Sequence, residues 1–255
     1  MSLSWLDRLS LFVHPAEAVL LCRGWRGKAE RLARPVGAVP EDGPVWQAAL
    51  EAALALLDER AGAGASLQIV IANPYVRYVL LPWSEAVIGD KARRALALAL
   101  LRSSLGEQAG QLDIALDQPV FGKNGVAAAI DQGLLDALRQ GAKRRRLRLG
   151  AVQPQLGADL AAVRRQSSDG CLLFEDGDWQ TLVGLQAGNV CLLRNHRAAA
   201  TAEQRQRELQ GLLAMQGRTV NRKNLQIFTN GSWPEALDEW TLECRRPSAE
   251  YVGHA

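Results

Sequence analysis

Aromatic side chains make up only 5% of this 255-residue chain, and the single dense basic cluster, 143–148, contains none of them. A nucleic-acid surface would interleave the two or present a recognisable reading helix, and neither is visible. Charge of one sign is also in short supply. The 30 Lys and Arg face 27 Asp and Glu, a net of +3, too small a bias to imply a polyanionic partner. Cysteine is scarce and scattered: Cys22, Cys171, Cys191 and Cys244 form no Cys-x-x-Cys pair and have no histidine at metal-ligand spacing. They read as small buried hydrophobes in a reducing compartment, with no metal site. The three histidines, His14, His196 and His254, stand apart. No Gly-x-Ser-x-Gly elbow and no Gly-Lys-Ser/Thr phosphate loop occurs, so no catalytic constellation is expected. Long apolar runs are missing as well: none approaches the ~18 residues that span a bilayer. Asp7 and Arg8 interrupt the N-terminus where a signal peptide would be apolar. A cytoplasmic protein is the expectation.

What is present is ordinary globular material, 48% apolar and 22% charged, at a length that can bury a core without disulfides. Segments 9–13, 18–22 and 28–33 are short and β-prone, broken by His14-Pro15 and by Gly24 and Gly27, and predict three antiparallel strands. Trp46, Ala49, Leu50, Ala53, Leu54 and Leu57 recur at helical spacing after Pro44. Strands are predicted at 67–71 and 75–81. Segment 90–105 favours helix because its alanine content outweighs the alternation of Leu96, Leu98 and Leu100. Strands at 111–116 and 126–130 with a turn at 122–125, a helix at 132–140, a strand at 147–152 and a helix at 156–165 follow. After the polar stretch 167–170 come three strands joined by Glu175-Asp176-Gly177-Asp178 and Ala187-Gly188-Asn189, turn chemistry suited to tight hairpins. Thr201 then caps a helix, with a strand at 225–228 and a short helix at 233–240 behind it.

The order repeats. Three meandering strands, a helix, a strand and a helix occur once from Leu9 and again from Cys171, with extra material in the first copy. The plan is α/β and actin-like: duplicated, ribonuclease-H-like β-β-β-α-β-α units with an inserted subdomain in the first. The helix at Thr201 follows the third strand so directly that the smaller closing subdomain of the second unit has no room. Expected boundaries are a first domain at 1–166 with the insertion at about 78–130, a second domain at 167–246, and a tail at 247–255.

The run Tyr75-Val76-Arg77-Tyr78-Val79-Leu80-Leu81-Pro82-Trp83-Ser84-Glu85 resembles the strand leading into the inserted subdomain in the PilM/MshI family of pilus assembly proteins and in the cytoplasmic domain of the type II secretion protein GspL. Gly125-Val126-Ala127-Ala128-Ala129-Ile130-Asp131 with Leu134-Leu135 is similar to the exit from that insertion, and 149–154 to the strand after it. The resemblance implies an actin-like fold, a seat at the inner face of the cytoplasmic membrane, and a membrane-anchored pilus or secretion platform protein as partner, so that contact with the membrane is indirect; the residues themselves give no reason to expect nucleic acid as a partner.

Actin-like ATPases hold phosphate in two hairpin turns of Asp-x-Gly type, where backbone N–H groups approach the anion. Here the first turn, Phe12-Val13-His14-Pro15-Ala16-Glu17, has neither Asp nor Gly, and Pro15 has no N–H. The second keeps Asp176 and Gly177 but adds Asp178 and the bulky Trp179. An adenosine-side loop would be Asn230, Gly231 and Ser232, of which Gly231 alone fits and Ser232 suits a helix N-cap. These are vestigial nucleotide loops on this reading: no cofactor is expected, with Mg-ATP as the alternative. Arg77, Tyr78 and Trp83 form the richest aromatic and arginine concentration and are the candidate partner-binding residues. The cluster Lys143-Arg144-Arg145-Arg146-Leu147-Arg148 suits phosphate or lipid headgroups, and equally a solvated helix end where cations offset the dipole.

Overall fold

The computed structural model describes residues 8–24, 29–163, 169–216, 224–229 and 240–245. Its strands and helices run in the order β1 (Arg8–Val13), β2 (Glu17–Arg23), β3 (Ala29–Pro35), α1 (Gln47–Arg60), β4 (Ser66–Ile71), β5 (Val76–Leu81), α2 (Asp90–Leu105), β6 (Leu112–Leu116), β7 (Gly125–Asp131), α3 (Gln132–Arg144), β8 (Arg148–Pro154), α4 (Gln155–Val163), β9 (Gly170–Asp176), β10 (Trp179–Gln186), β11 (Asn189–Arg197), α5 (Ala202–Gln216), β12 (Asn224–Phe228) and β13 (Thr241–Arg245). The two large sheets have the orders β3-β2-β1-β4-β8 and β11-β10-β9-β12-β13, which are the same order of strands met twice along the chain. In each, an antiparallel meander is followed by two parallel strands laid beside the first strand of the meander. The duplicated actin-like α/β architecture expected from the element order is therefore the observed one.

Contacts divide the chain into two compact units. Among the described residues, one contains those up to Val76 together with Ile130–Asp159, and the other Arg77–Ala129 together with those from Leu160 to Arg245. In the first, Leu9, Leu11 and Val13 of β1 alternate inward with Leu67, Ile69 and Ile71 of β4, all buried. Helix α1 covers this sheet through Ala48, Ala49, Ala52, Ala53, Leu56 and Leu57, and its alanines allow a close approach. Each fully buried Leu or Ile here contributes about 1.5–3 kcal/mol. Pro44 lies just ahead of the helix, and its carbonyl accepts from Gln47 N in the turn that precedes it. Helix α3 is capped by the Asp131 side chain, which accepts from Leu134 N, and runs past the expected end at Gln140 to Arg144.

The second unit holds two layers. Its five-stranded sheet packs Cys171, Leu173, Leu182, Leu192, Leu225 and Ile227 against Leu209 and Leu213 of α5. The inserted segment forms its own sheet in the order β5-β7-β6, with α2 laid on it through Ala97 and Leu101. The turn expected at 122–125 is part of a longer loop, 117–124, between β6 and β7. Strand β13 was not foreseen: Thr241-Leu242-Glu243-Cys244-Arg245 pairs parallel to β12, with Glu243 accepting from Gln226 Nε2 at 3.1 Å. Of the helix expected at 233–240 only Trp240 is described, in a β-bridge just before β13, and the tail from Pro247 lies outside the described residues.

Candidate functional site

Three places carry the chemistry singled out in the sequence, and the two hairpin turns come first. Between Val13 and its partner Ala18, the β1–β2 turn folds His14 back so that its Nδ1 accepts the Ala16 N–H at 3.0 Å. The His14 ring lies stacked on Phe12 with centroids 5.6 Å apart. With Pro15 lacking an N–H and that of Ala16 given to His14, this turn offers an anion little of the donor cradle that phosphate needs. Glu17 at its exit is held by Arg31 Nη2 at 3.1 Å.

At the β9–β10 turn, Asp176 pairs with Trp179, so Gly177 and Asp178 are the two central residues. Gly177 has φ +62°, the left-handed conformation expected for it and characteristic of the first central position of a tight hairpin. The neighbouring carboxylates have partners within the protein. Asp178 Oδ2 accepts from Arg197 Nε at 2.6 Å, and Glu175 Oε1 accepts from Gln180 Nε2 at 2.8 Å with Arg205 Nη1 at 4.0 Å. Beneath the turn, Phe174 and Phe228 on adjacent strands stack at 4.8 Å, both buried. Asn230, Gly231 and Ser232 lie outside the described residues.

Among the described residues no group of three His, Cys, Asp or Glu could hold a metal. Burial disfavours the thiolate at two cysteines: it pushes Cys171 up to about 12, with Cys191 beside it adding to the shift, and it raises Cys191 too.

The residues expected to bind a partner are not brought together. Arg77, half-buried on β5, lays its guanidinium carbon 4.9 Å from the centroid of the Trp179 ring, and desolvation lowers its pKa. It is a packing cation over an indole. Tyr78 is half-buried on the same strand. Trp83 instead opens onto a groove of about 420 Å³ whose walls include Leu81, Pro82, Ile88, Val120 and Phe121. Trp83 meets Phe121 edge to face at 5.1 Å and 71°. Phe121 is 85% exposed, Ile88 79%, Val120 52% and Trp83 39%, an apolar cluster left open to solvent. Asn124 fixes this corner: its Oδ1 accepts from Trp83 N at 3.1 Å while its Nδ2 donates to Val190 O on β11 at 3.2 Å. Deeper in the groove, Arg93 is buried and its charge is met by Asp117 at 2.5 Å. Phe121, Ile88 and Val120 were missed by the sequence reading. The signal was there in form, as bulky apolar residues set in loop segments beside Gly89, Pro119 and Gly122, where packing gives them no obvious reason to be.

The basic cluster divides in two. Arg145 forks onto Asp58 of α1, Nε to Oδ1 at 2.7 Å and Nη2 to Oδ2 at 2.5 Å, and also donates to the carbonyls of Leu54 and Gly141. It is a structural clamp between α1 and α3. Lys143, Arg144, Arg146 and Arg148 are exposed.

No family model matches the sequence, and no curated protein is significantly similar to it. Solved structures share its fold. A Bacteroides thetaiotaomicron protein of actin-like ATPase fold and unknown function is 12% identical, with 90% of this chain and 84% of that one covered at a TM-score of 0.63. The cytoplasmic domain of EpsL, an inner membrane component of the Vibrio cholerae type II secretion system, is 11% identical over 96% of this chain and 92% of its own, at 0.60. A chain of the PilM–PilN type IV pilus biogenesis complex is 16% identical, covering 93% and 88%, also at 0.60. At these identities the likeness shows the fold, which is that of the actin-like ATPases.

Proposed function

We propose that this chain is a non-catalytic, actin-like scaffold of a type IV pilus or type II secretion platform, seated at the inner face of the cytoplasmic membrane and binding a membrane-anchored partner from the cytoplasmic side. The observation that carries the non-catalytic part is the β1–β2 turn. Its Pro15 has no N–H and its Ala16 N–H is given to His14, so the donors that would grip a phosphate are absent or engaged at the position where the fold otherwise places them. Support for the platform comes from the structural likeness to EpsL and PilM over nearly the whole chain, and the PilM structure is itself a complex with a partner.

The docking site on this reading is the groove of the inserted subdomain, and its occupant is a short, extended, apolar segment of the partner. Extended peptides are held in grooves by aromatic and aliphatic anchors, and the four exposed side chains Trp83, Ile88, Val120 and Phe121 are of that kind. Burying most of a phenylalanine ring, about 150–200 Å² at 25 cal/mol per Å², is worth about 4 kcal/mol before the costs of ordering the peptide. Phe121→Asp is therefore expected to abolish co-purification with a co-expressed partner encoded beside this chain while leaving the melting temperature unchanged. Retained co-purification would remove the groove from the account.

A second reading, a nucleotide-binding actin-like ATPase of the same assembly, is favoured by one observation: the retained Asp176-Gly177 turn with its left-handed glycine. Against it stand the carboxylates of Glu175 and Asp178, engaged with neighbours on the protein.

A further inference from the structure

The basic segment that closes α3 is one part of a larger feature at the end of the first unit where β1, β4 and β8 begin. In the register of that sheet, Arg23 pairs with Arg8, Arg8 with Ser66, and Ser66 with Arg148. At about 4.8 Å between strands, the row from Arg23 to Arg148 spans roughly 14 Å. Lys143, Arg144 and Arg146 reach the same end, because Arg146 O accepts from Gly64 N and Arg148 N donates to Ala65 O. All six cations are exposed.

Two local rules are broken here, and each break places an arginine. Arg8 and Arg23 are direct cross-strand partners of like charge, an arrangement that weakens a sheet. Helix α3 ends in a Schellman motif, with Leu147 N donating to Ala142 O and Arg146 N to Lys143 O, both at 3.0 Å. Arg146 occupies its left-handed position at φ +55°, where glycine is the least strained residue. Among the described residues, three carboxylates on neighbouring elements are already engaged: Asp58 by Arg145, Glu59 by Arg34 and Glu30 by Arg60. Among the described residues Arg8, Lys143, Arg144 and Arg146 have no carboxylate partner within 4.0 Å. The fold thus gives up stability to concentrate positive charge at one end.

We propose that this end of the first unit docks directly on anionic lipid headgroups. The choice of lipid over nucleic acid rests on the platform reading above, and also on the surface itself. Neither the register row nor segment 142–148 contains an aromatic ring on which a base could stack. The end of α3 presents carbonyls rather than N–H donors, so phosphate is met by long, mobile cations alone. Diffuse attraction of that kind suits a charged leaflet and decays within about 8 Å at physiological salt. This adds a direct membrane contact to the indirect one made through the partner.

The test is co-sedimentation of the full chain, without any partner, on vesicles of equal parts phosphatidylethanolamine and phosphatidylglycerol, with phosphatidylcholine vesicles and duplex DNA alongside. The chain is expected to bind the anionic vesicles and not the neutral ones, and to release in high salt. At about fivefold per cation, Lys143→Gln, Arg144→Gln and Arg146→Gly together lower binding about a hundredfold. Arg146→Gly alone weakens binding about fivefold while raising the melting temperature, a combination that unfolding cannot produce. Phe121→Asp leaves vesicle binding intact, which keeps this proposal separate from the groove. Binding to neutral vesicles, an unaffected triple variant, or tighter binding to the DNA that the same substitutions abolish would overturn it.

Discussion

Replacing Arg77 by alanine removes a half-buried cation from the face of Trp179, and the structure sets what that costs. The guanidinium carbon lies 4.9 Å from the ring centroid, inside the range of a cation–π contact, and burial already lowers the arginine pKa, so the pair is partly out of water. Such a contact is worth about 0.5–2 kcal/mol depending on desolvation. Truncation also removes the apolar stem of a half-buried arginine, which adds to the loss. A total of about 1–3 kcal/mol follows, and for a chain of this size each kcal/mol moves the melting temperature by about 2–4 °C. Thermal unfolding of Arg77→Ala, Trp179→Leu and the double variant forms a cycle whose coupling term isolates the pair; about 0.5–1 kcal/mol of coupling is expected. Partner binding through the groove should be unchanged by Arg77→Ala once the protein is folded. A variant with the parent melting temperature and lost partner binding would instead place Arg77 on the docking surface.

Gly177→Val forces a β-branched residue to φ +62° at a site with open space around the added carbon, so the penalty is backbone strain alone, about 1–2 kcal/mol by denaturant unfolding; Gly177→Asn should recover most of it, and an unaffected Val variant would contradict the turn assignment. His196 on β11 has its pKa lowered by burial, with Glu208 opposing the shift and Arg194 adding to it. The folded state then favours neutral imidazole while the unfolded chain takes up the proton more readily, so this group's stability is present above pH 6.5 and lost as pH falls through the lower, folded-state value. His196→Gln should flatten the dependence of melting temperature on pH in that window, and an unchanged slope would mean that other groups set it.

How far the sequence could be read depended on how local the cause was. The hairpins at Gly177 and Gly188 were legible because their turns need left-handed residues and the chain supplies them at φ +62° and +72°. Helix α2 was legible from its alanines, and the two actin-like halves from the repeat of element order. The end of α3 was not, because an arginine, Arg146, stands at the left-handed position where a glycine would have signalled the stop. Strand β13 escaped notice because its stabilising partner is β12 and its own sequence alternates leucine and cysteine with charges over only five residues. At the candidate site, Trp83 and Arg77 stood out by residue type, but that Arg77 lies over Trp179 could not be read from the sequence, because that ring comes from another element. Exposure of Phe121 and Ile88 is a property of what fails to cover them, which no pattern of spacing records.

Whether this actin-like fold serves as a scaffold rather than as an ATPase is decided by isothermal titration of the purified chain with Mg-ATP. The occupied N–H in the β1–β2 turn and the engaged carboxylates of the β9–β10 turn predict no saturable heat at micromolar nucleotide. Micromolar binding that Asp176→Ala abolishes would contradict the scaffold reading.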